Sequence, residues 1–396
     1  MKIGIDARFF GPKQKGLGRY VQKLVENLEK VDLTNQYVIF LRRENWSEYQ
    51  PSNPNFKKVL ADYRWYGLPE QIMMPIKIWQ AKVDLMHFSH FNVPIFCRQP
   101  FVVTIHDLVL RKFPTQRAST LNPFLYWLKN LAYRLVVYSA VKRAKKIIAV
   151  SDYTKKDILK YFSAKGGSVS GGKIKPEKIE VVYEGAPVHR DSPSDTVLVA
   201  RTVSEGLSLC KPSLDKPYIL YVGNAYPHKN LERLILSFKK LIEDKRMDYQ
   251  LVLVGELDYF YQRLIKMSSA VPSNRIIFTD FVSDSDLNIL YQNASLYVFP
   301  SLGEGFGLPP LEAMAFGLPV VCSKATCLPE ILGEAALYFD PENTEEMAEK
   351  IKQVLKSQKL QEKLIDQGFK RIQKYQWSKM AQETLGIYND AGLYKN

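Results

Sequence analysis

Short apolar runs separated by amphipathic stretches set the rhythm of this chain. "MKIGIDA" opens it, and "QYVIFLR", "VDLMHFS", "PFVVTIHD", "KKIIAVS" and "KIEVVY" follow, each reading as a buried strand. Helical periodicity fills most of the intervals, and strands alternating with helices predict an α/β fold with a parallel sheet. Near residue 186 the rhythm stops. "GAPVHRDSPSDTVLVARTVSEGLSLCKPSLDKP" is polar, irregular and proline-bearing, the composition of an interdomain connection. The alternation then resumes with "YILYVGN", "YQLVLVGE", "RIIFTDF", "ASLYVFPS" and "LPVVCSK". Two Rossmann-like domains in tandem are expected, 1–190 and 191–374. "KGGSVSGGK" at 165–173 has linker composition and reads as a loop tip.

The length of 396 residues suits two domains, and an apolar fraction of 46% excludes a fully disordered chain. Charge sharpens the division. Residues 1–200 hold 32 Lys and Arg against 17 Asp and Glu, or +15, whereas the remainder holds 23 against 24, or −1. One half is basic and the other neutral, which predicts different partners. Cys97, Cys210, Cys322 and Cys327 form neither a disulfide framework nor a zinc pattern, as expected in a reducing cytoplasm. No run has the length and apolarity of a signal peptide or a membrane span.

The densest chemistry lies in "SLGEGFGLPPLEAMAFGLPVV", residues 301–321. Pro309 and Pro310 suit a first helical turn, whose N–H groups have no intrahelical partner. Gly317 fits the position just past the helix end, and Pro319 blocks continuation, so a helix over about 309–316 is predicted. Its N-terminus follows the strand "ASLYVFPS", at the end where open α/β sheets bind ligands. Unpaired N–H groups there favour an anion, and Gly303, Gly305 and Gly307 let backbone approach it closely. Glu304 and Glu312 would repel a phosphate, but a carboxylate accepts paired sugar hydroxyls. A diphosphate flanked by hydroxylated groups, a nucleotide sugar, uses every part of this arrangement. A capped helix with Glu312 set against the dipole is the plainer reading of the same residues.

"EGFGLPPLE", within "VFPSLGEGFGLPPLEAMAFGLPVVCS", resembles the E-x7-E signature of retaining glycosyltransferases of family 4, and the likeness extends in order over nearly the whole chain. The resemblance implies a GT-B fold, two Rossmann-like domains facing across a cleft. The tail "YQWSKMAQETLGIYNDAGLY" resembles the family's terminal helix, so 375–396 is expected to cross back and complete the first domain. The resemblance also implies that Glu304 contacts the donor sugar's hydroxyls and Glu312 the ribose. Backbone around Gly305, Phe306, Gly307 and Leu308 would approach the sugar and phosphates.

In "YVGNAYPHKNLERLI", Gly223 and Asn224 end a strand, and His228 and Lys229 precede a helix. A lysine there can neutralise a diphosphate leaving group, although many such lysines are only solvated. It resembles the family's diphosphate-binding lysine. Many members carry an arginine where this chain has Asn224 or His228, which predicts weaker neutralisation. Gly16 and Gly18 sit in the glycine loop "GPKQKGLGRY" before a helix and resemble loops that face the donor phosphates. Arg19 beside them is an acceptor-side candidate or a surface pair. His106 ends "PFVVTIHD" and resembles a histidine that contacts the donor sugar near the reacting carbon; a core role is the alternative. His87 and His90 are candidates for the acceptor side, or core residues.

Asp284-Ser285-Asp286 is formally a D-x-D, the pattern that holds a metal against a diphosphate in other glycosyltransferases, but it opens a helical pattern where Ser or Asp caps are expected. No metal and no cofactor are therefore expected. Residues 101–150 hold nine Lys or Arg and one acidic residue, within and beside the aromatic helix pattern at 121–146. Residues 111–146 thus suggest peripheral contact with an anionic membrane at the inner face of the cell membrane. Nucleic acid is the competing partner, but no recognised nucleic-acid module accompanies the charge. The expected function is metal-independent, retaining transfer of a hexose to a glycan or lipid-linked acceptor in polysaccharide or glycolipid assembly. GDP-mannose is the first choice of donor and a UDP-sugar the second. The alternatives are a sugar-nucleotide epimerase of the same architecture, against which E-x7-E argues, and a non-catalytic nucleic-acid-binding protein.

Overall fold

The computed structural model describes residues 1–11, 14–112, 122–163, 174–186, 214, 216–244, 246–272 and 274–393. Most of the connection read after residue 186 and the 165–173 segment lie outside them, as do residues 113–121 of the basic stretch. The chain separates into two units, Met1–Gly185 with Tyr375–Asn396, and Ala186–Lys374.

The first unit holds seven parallel strands: β1 (Lys2–Asp6), β2 (Gln36–Leu41), β3 (Phe56–Leu60), β4 (Leu85–Phe88), β5 (Phe101–Ile105), β6 (Lys146–Ala149) and β7 (Ile179–Val181). Their order is β3-β2-β1-β4-β5-β6-β7. Both faces are buried, and alternation along β2 shows why. Tyr37, Ile39 and Leu41 enter one core, while Val38 and Phe40 enter the other. The first core is covered by α1 (Lys15–Val31), which supplies Tyr20, Leu24 and Leu28. The opposite core takes Met74 and Ile78 from α2 (Leu68–Ala81), and the short α3 (Val109–Lys112) follows β5. It also takes Val137, Ala140 and Val141 from α4 (Pro123–Arg143), and Ile158 and Phe162 from α5 (Asp152–Ser163).

The second unit holds β8 (Tyr218–Val222), β9 (Gln250–Val254), β10 (Ile276–Phe278), β11 (Leu296–Phe299), β12 (Val320–Ser323) and β13 (Ala336–Phe339), all parallel, in the order β10-β9-β8-β11-β12-β13. Its helices are α6 (Leu231–Glu243), α7 (Tyr259–Met267), α8 (Asp284–Asn293), α9 (Leu308–Ala315), α10 (Leu328–Leu332), α11 (Thr344–Lys356) and α12 (Gln358–Ile372). The strand order reverses direction between β8 and β11. A crevice opens at the carboxyl ends of strands at such a switch point. The last helix, α13 (Trp377–Leu393), returns to the first unit, packs on α1 and buries Met380, Ala381 and Tyr388 in the core that α1 covers.

The two-sheet α/β architecture is the one the pattern predicts. Two edge strands, β3 and β13, are additions to it. One expectation is corrected: α1 begins at Lys15, so Gly16 and Gly18 lie inside its first turns and not in a loop before it. A Cβ at Gly18 would stand 2.0 Å from the Gly11 carbonyl oxygen, so this glycine lets the helix start against the chain that leaves β1.

Candidate active site

The loops after β8 and β11, on either side of the switch point, bring the second unit's candidate residues together. After β8, Gly223 has φ +154° and its carbonyl accepts from the Tyr261 hydroxyl at 2.8 Å. The Asn224 carbonyl accepts from the Tyr221 hydroxyl at 2.9 Å. A single helical turn over Pro227–Lys229 ends at Asn230, which is left-handed at φ 62° and buried. The Asn230 amide donates to the Pro300 carbonyl at 3.0 Å and the Pro341 carbonyl at 2.7 Å, and the Leu302 N–H donates to the His228 carbonyl at 2.7 Å. These bonds fix the two loops to each other. They place the Lys229 ammonium 2.6 Å from Glu304 Oε1, a pair whose side chains are only 15% and 13% exposed. Ser301 Oγ donates to the same oxygen at 2.5 Å, and the Glu304 N–H donates to Thr326 Oγ1 at 3.1 Å.

Three residues on, Gly307 at φ +97° turns the chain into α9, with Pro309 and Pro310 in the first turn. A side chain at that φ would be strained, so the turn that aims the α9 N-terminus requires glycine. Phe306 and Leu308 are buried on either side. Leu311 and Met314 are buried in the core beneath, each worth about 1.5–3 kcal/mol by burial. Gly317, at φ +71°, closes the helix with its N–H on the Met314 carbonyl at 3.0 Å. Glu312, 7% exposed, accepts from the Tyr291 hydroxyl at 3.2 Å through Oε2. His228 is held neutral at ordinary pH: burial, then the neighbouring Lys229 charge, lowers its pKa to about 4. The Asp284 and Asp286 carboxylates lie in the first turn of α8, where Ser283 accepts from the Asp286 N–H at 3.1 Å as an N-cap. Helix starting accounts for that motif.

In the first unit, His106 follows β5. Its Nδ1 lies 3.0 Å from Glu184 Oε1 and its Nε2 3.0 Å from the Ser89 carbonyl. Burial works against its charge, but the Glu184 hydrogen bond and charge outweigh it and raise the pKa. Tyr20 meets the imidazole edge-on at 4.7 Å. His87 is a correction. It lies inside β4, fully buried, with Nδ1 2.5 Å from the Tyr388 hydroxyl and Nε2 2.8 Å from Thr104 Oγ1. Both nitrogens are used in the core, so His87 has no face to offer an acceptor. Its work is to seat α13. The His90 ring lies tilted at 40° against Phe91, 3.9 Å away, and 3.0 Å from Asn92 Oδ1. Arg19 is half-buried on α1.

Residues 15–190 match the family model described as Glycosyltransferase Family 4, and residues 211–371 match Glycosyl transferases group 1. The O-antigen chain mannosyltransferase B of Escherichia coli is 30% identical over 399 residues, spanning 94% of this chain and 95% of that one. The chain belongs to the family 4 glycosyltransferases. The O-antigen chain mannosyltransferase RfbU of Salmonella typhimurium is 27% identical over 76% of this chain and 74% of its own. Among solved structures, Anabaena HepE in complex with UDP and glucose superposes with a TM-score of 0.72 at 17% identity, covering 98% of this chain and all of that one. That likeness concerns the fold, which is GT-B.

Beside the candidate site residues of this glycosyltransferase stand partners that sequence reasoning missed. Glu184 is 78 residues from His106, Asn230 ties the loop after β8 to the one after β11, and Ser301 bonds Glu304 within its own loop. No short-range signal marks them. Its histidines also set a pH dependence. Burial, then the charge of His106, lowers the pKa of His87 to about 3, and His90 is lowered to about 3 for the same reasons. An unfolded histidine titrates near ~6.5. Below that pH the unfolded chain binds more protons at these sites than the folded one, so their stability is present above ~6.5 and lost as pH falls toward 3. His106 acts oppositely: its contribution is present below ~6.5 and lost as pH rises through its raised value. With His228 on the acid-sensitive side, the melting temperature falls from pH 7 to pH 5. His87→Gln makes that slope shallower. Melting curves across this range check it, and an unchanged slope removes His87 from the account.

Proposed function

We propose that this glycosyltransferase performs metal-independent transfer, with retention at the anomeric carbon, of a hexose from a nucleotide sugar to a glycan or lipid-linked acceptor in polysaccharide or glycolipid assembly. The observation that carries the reading is the Lys229–Glu304 pair at the switch point, 2.6 Å apart and beside the glycine turn that opens α9. In this reading Lys229 and the N–H groups around Phe306, Gly307 and Leu308 take the diphosphate, Glu304 takes sugar hydroxyls and Glu312 the ribose. Gly223, Asn224 and His228 shape the donor loop, with Gly16 and Gly18 serving the phosphates from the start of α1. His106, oriented by Glu184, contacts the sugar near the reacting carbon. Arg19 and His90 serve the acceptor.

An oxocarbenium-like transition state forms as the diphosphate departs, and fixed positive charge on the leaving group lowers that barrier most. Attack from the same face, guided by the leaving phosphate, accounts for retention. GDP-mannose is the favoured donor, supported by mannosyltransferases among the relatives; a UDP-sugar is second. The basic residues within 111–146 support a place on the inner face of the cell membrane, held peripherally. No helix among the described residues is long and apolar enough to cross a membrane.

The test is the melting temperature with GDP, UDP, GDP-mannose, UDP-glucose and UDP-N-acetylglucosamine, with and without EDTA. A ligand at 100 times its dissociation constant adds ~2.7 kcal/mol of stability. A shift with guanine nucleotides only, indifferent to EDTA, is expected. A response confined to uracil nucleotides transfers the assignment to a UDP-sugar, and silence toward all of them removes the donor site.

A further inference from the structure

α2 is apolar on two opposite faces. Glu70, Met74 and Ile78 are buried against the first unit. Leu68, Ile72, Ile76 and Trp79, at helical spacing on the far side, are 80%, 55%, 42% and 69% exposed. A helix covering a sheet normally turns polar residues outward. α4 repeats the departure along its first three turns, where Phe124, Trp127, Leu131 and Leu135 are exposed while Val137, Ala140 and Val141 enter the core. The two helices bury their inner residues in the same core, so their outer faces lie on the same side of the sheet.

The segment after β4 joins them. Gln71 of α2 accepts from the Ile95 N–H at 2.8 Å, and Arg143 at the end of α4 donates to the Ile95 carbonyl at 2.7 Å. Between these ties Phe96 is 65% exposed. Charge on these two helices has one sign. α4 contains no acidic residue, and the only one in α2 is Glu70, which is buried against Arg8. Lys82, Arg98, Lys129 and Arg134 are exposed on or beside the two helices. Large apolar and indole side chains ringed by cations, with no exposed carboxylate on either helix, match an anionic bilayer. Aromatic rings settle at the headgroup boundary, and cations reach the phosphates.

We infer that the outer face of α2, with Phe96 and the first half of α4, inserts into the interface of an anionic lipid bilayer. This deepens the peripheral contact proposed above and rests on that reading. It extends the contact to α2, well outside 111–146, and makes it apolar as well as electrostatic. The occupant is lipid, not a second copy of the chain, because two such basic faces repel each other.

The experiment is co-sedimentation of the full chain with vesicles of phosphatidylcholine alone and with about 30 mol% phosphatidylglycerol, whose charge gives the surface a negative potential. Binding is expected to the anionic vesicles and to persist in part at 1 M salt, where the Debye length is ~3 Å and the electrostatic share is screened. Replacing Ile72, Ile76 and Trp79 together by glutamate (I72E/I76E/W79E) is expected to weaken binding at least ~10-fold, since each fully buried side chain of this size is worth a comparable factor. W127E/L131E on α4 is the second variant. All five positions are exposed, so both variants are expected to keep the parent melting temperature and its response to nucleotide.

Parent binding that neither variant weakens sinks the apolar face and leaves the basic contact standing. No binding by the parent removes both, without touching the donor site, which the nucleotide response reports separately. A dimer in light scattering that dissociates in the variants overturns lipid as the occupant.

Discussion

Lys229→Ala is expected to lower turnover by ~10²–10³-fold, the size of effect that follows when one preorganised charge on a departing group is removed. The ammonium is held before any donor arrives. Asn230 anchors the turn to two carbonyls, and Ser301 shares the Glu304 oxygen that Lys229 contacts. The same substitution leaves Glu304 mostly buried without its cation. A stability loss of about 1–3 kcal/mol therefore accompanies it, less than for a fully buried pair because both side chains keep some solvent contact. Turnover at saturating donor and the melting temperature separate the two effects. Lys229→Arg preserves the charge and is expected to recover part of the turnover. Full turnover in Lys229→Ala removes this lysine from the leaving-group role.

Glu312→Ala is expected to weaken nucleotide binding by about 10–100-fold, corresponding to ~1.5–3 kcal/mol for hydrogen bonds to a charged acceptor. The carboxylate lies within α9, 7% exposed, and Tyr291 bonds one of its oxygens. Its removal takes an acceptor from the buried Tyr291 hydroxyl, so a stability loss of about 1 kcal/mol accompanies the loss of affinity. Calorimetry with GDP and UDP reads the affinity directly. Glu312→Gln retains one carbonyl acceptor and is expected to fall between parent and alanine variant. Equal affinity in all three breaks the assignment of Glu312 to the ribose and leaves the carboxylate a structural group.

The two carboxylates of the signature show how far local reading goes. The sequence predicts a helix over about 309–316 and α9 spans Leu308–Ala315, because proline in the first turn and glycine past the last obey rules confined to a few neighbouring residues. The same rules explain Ser283 at the start of α8. The start of α1 broke them. Gly16 and Gly18 are weak helix formers, yet the helix runs through both, and at Gly18 close approach to the Gly11 carbonyl requires the missing Cβ. Edge strands escaped for another reason. "FKKVL" in β3 mixes lysines with apolar residues and so lacks the apolar run of a central strand, and β13 is an edge strand only half-buried over Leu337 and Tyr338.

Histidines divide along the same line. His87 and His106 both sit on or beside a strand, and residue type does not separate them. α13 decides, because the Tyr388 hydroxyl arrives from 301 residues away to occupy the His87 ring, whereas the Glu184 carboxylate arrives beside His106 and raises its pKa. By itself the sequence determined two tandem α/β sheets, the α9 start and the family signature. Each rests on periodicity or on spacing within about ten residues, where chain geometry leaves few choices. Only the tertiary structure decided the Lys229–Glu304 pair, the burial of His87 and the outward apolar face of α2. These depend on which distant groups share a volume, and a linear pattern states that a residue is apolar or charged without stating what stands opposite it.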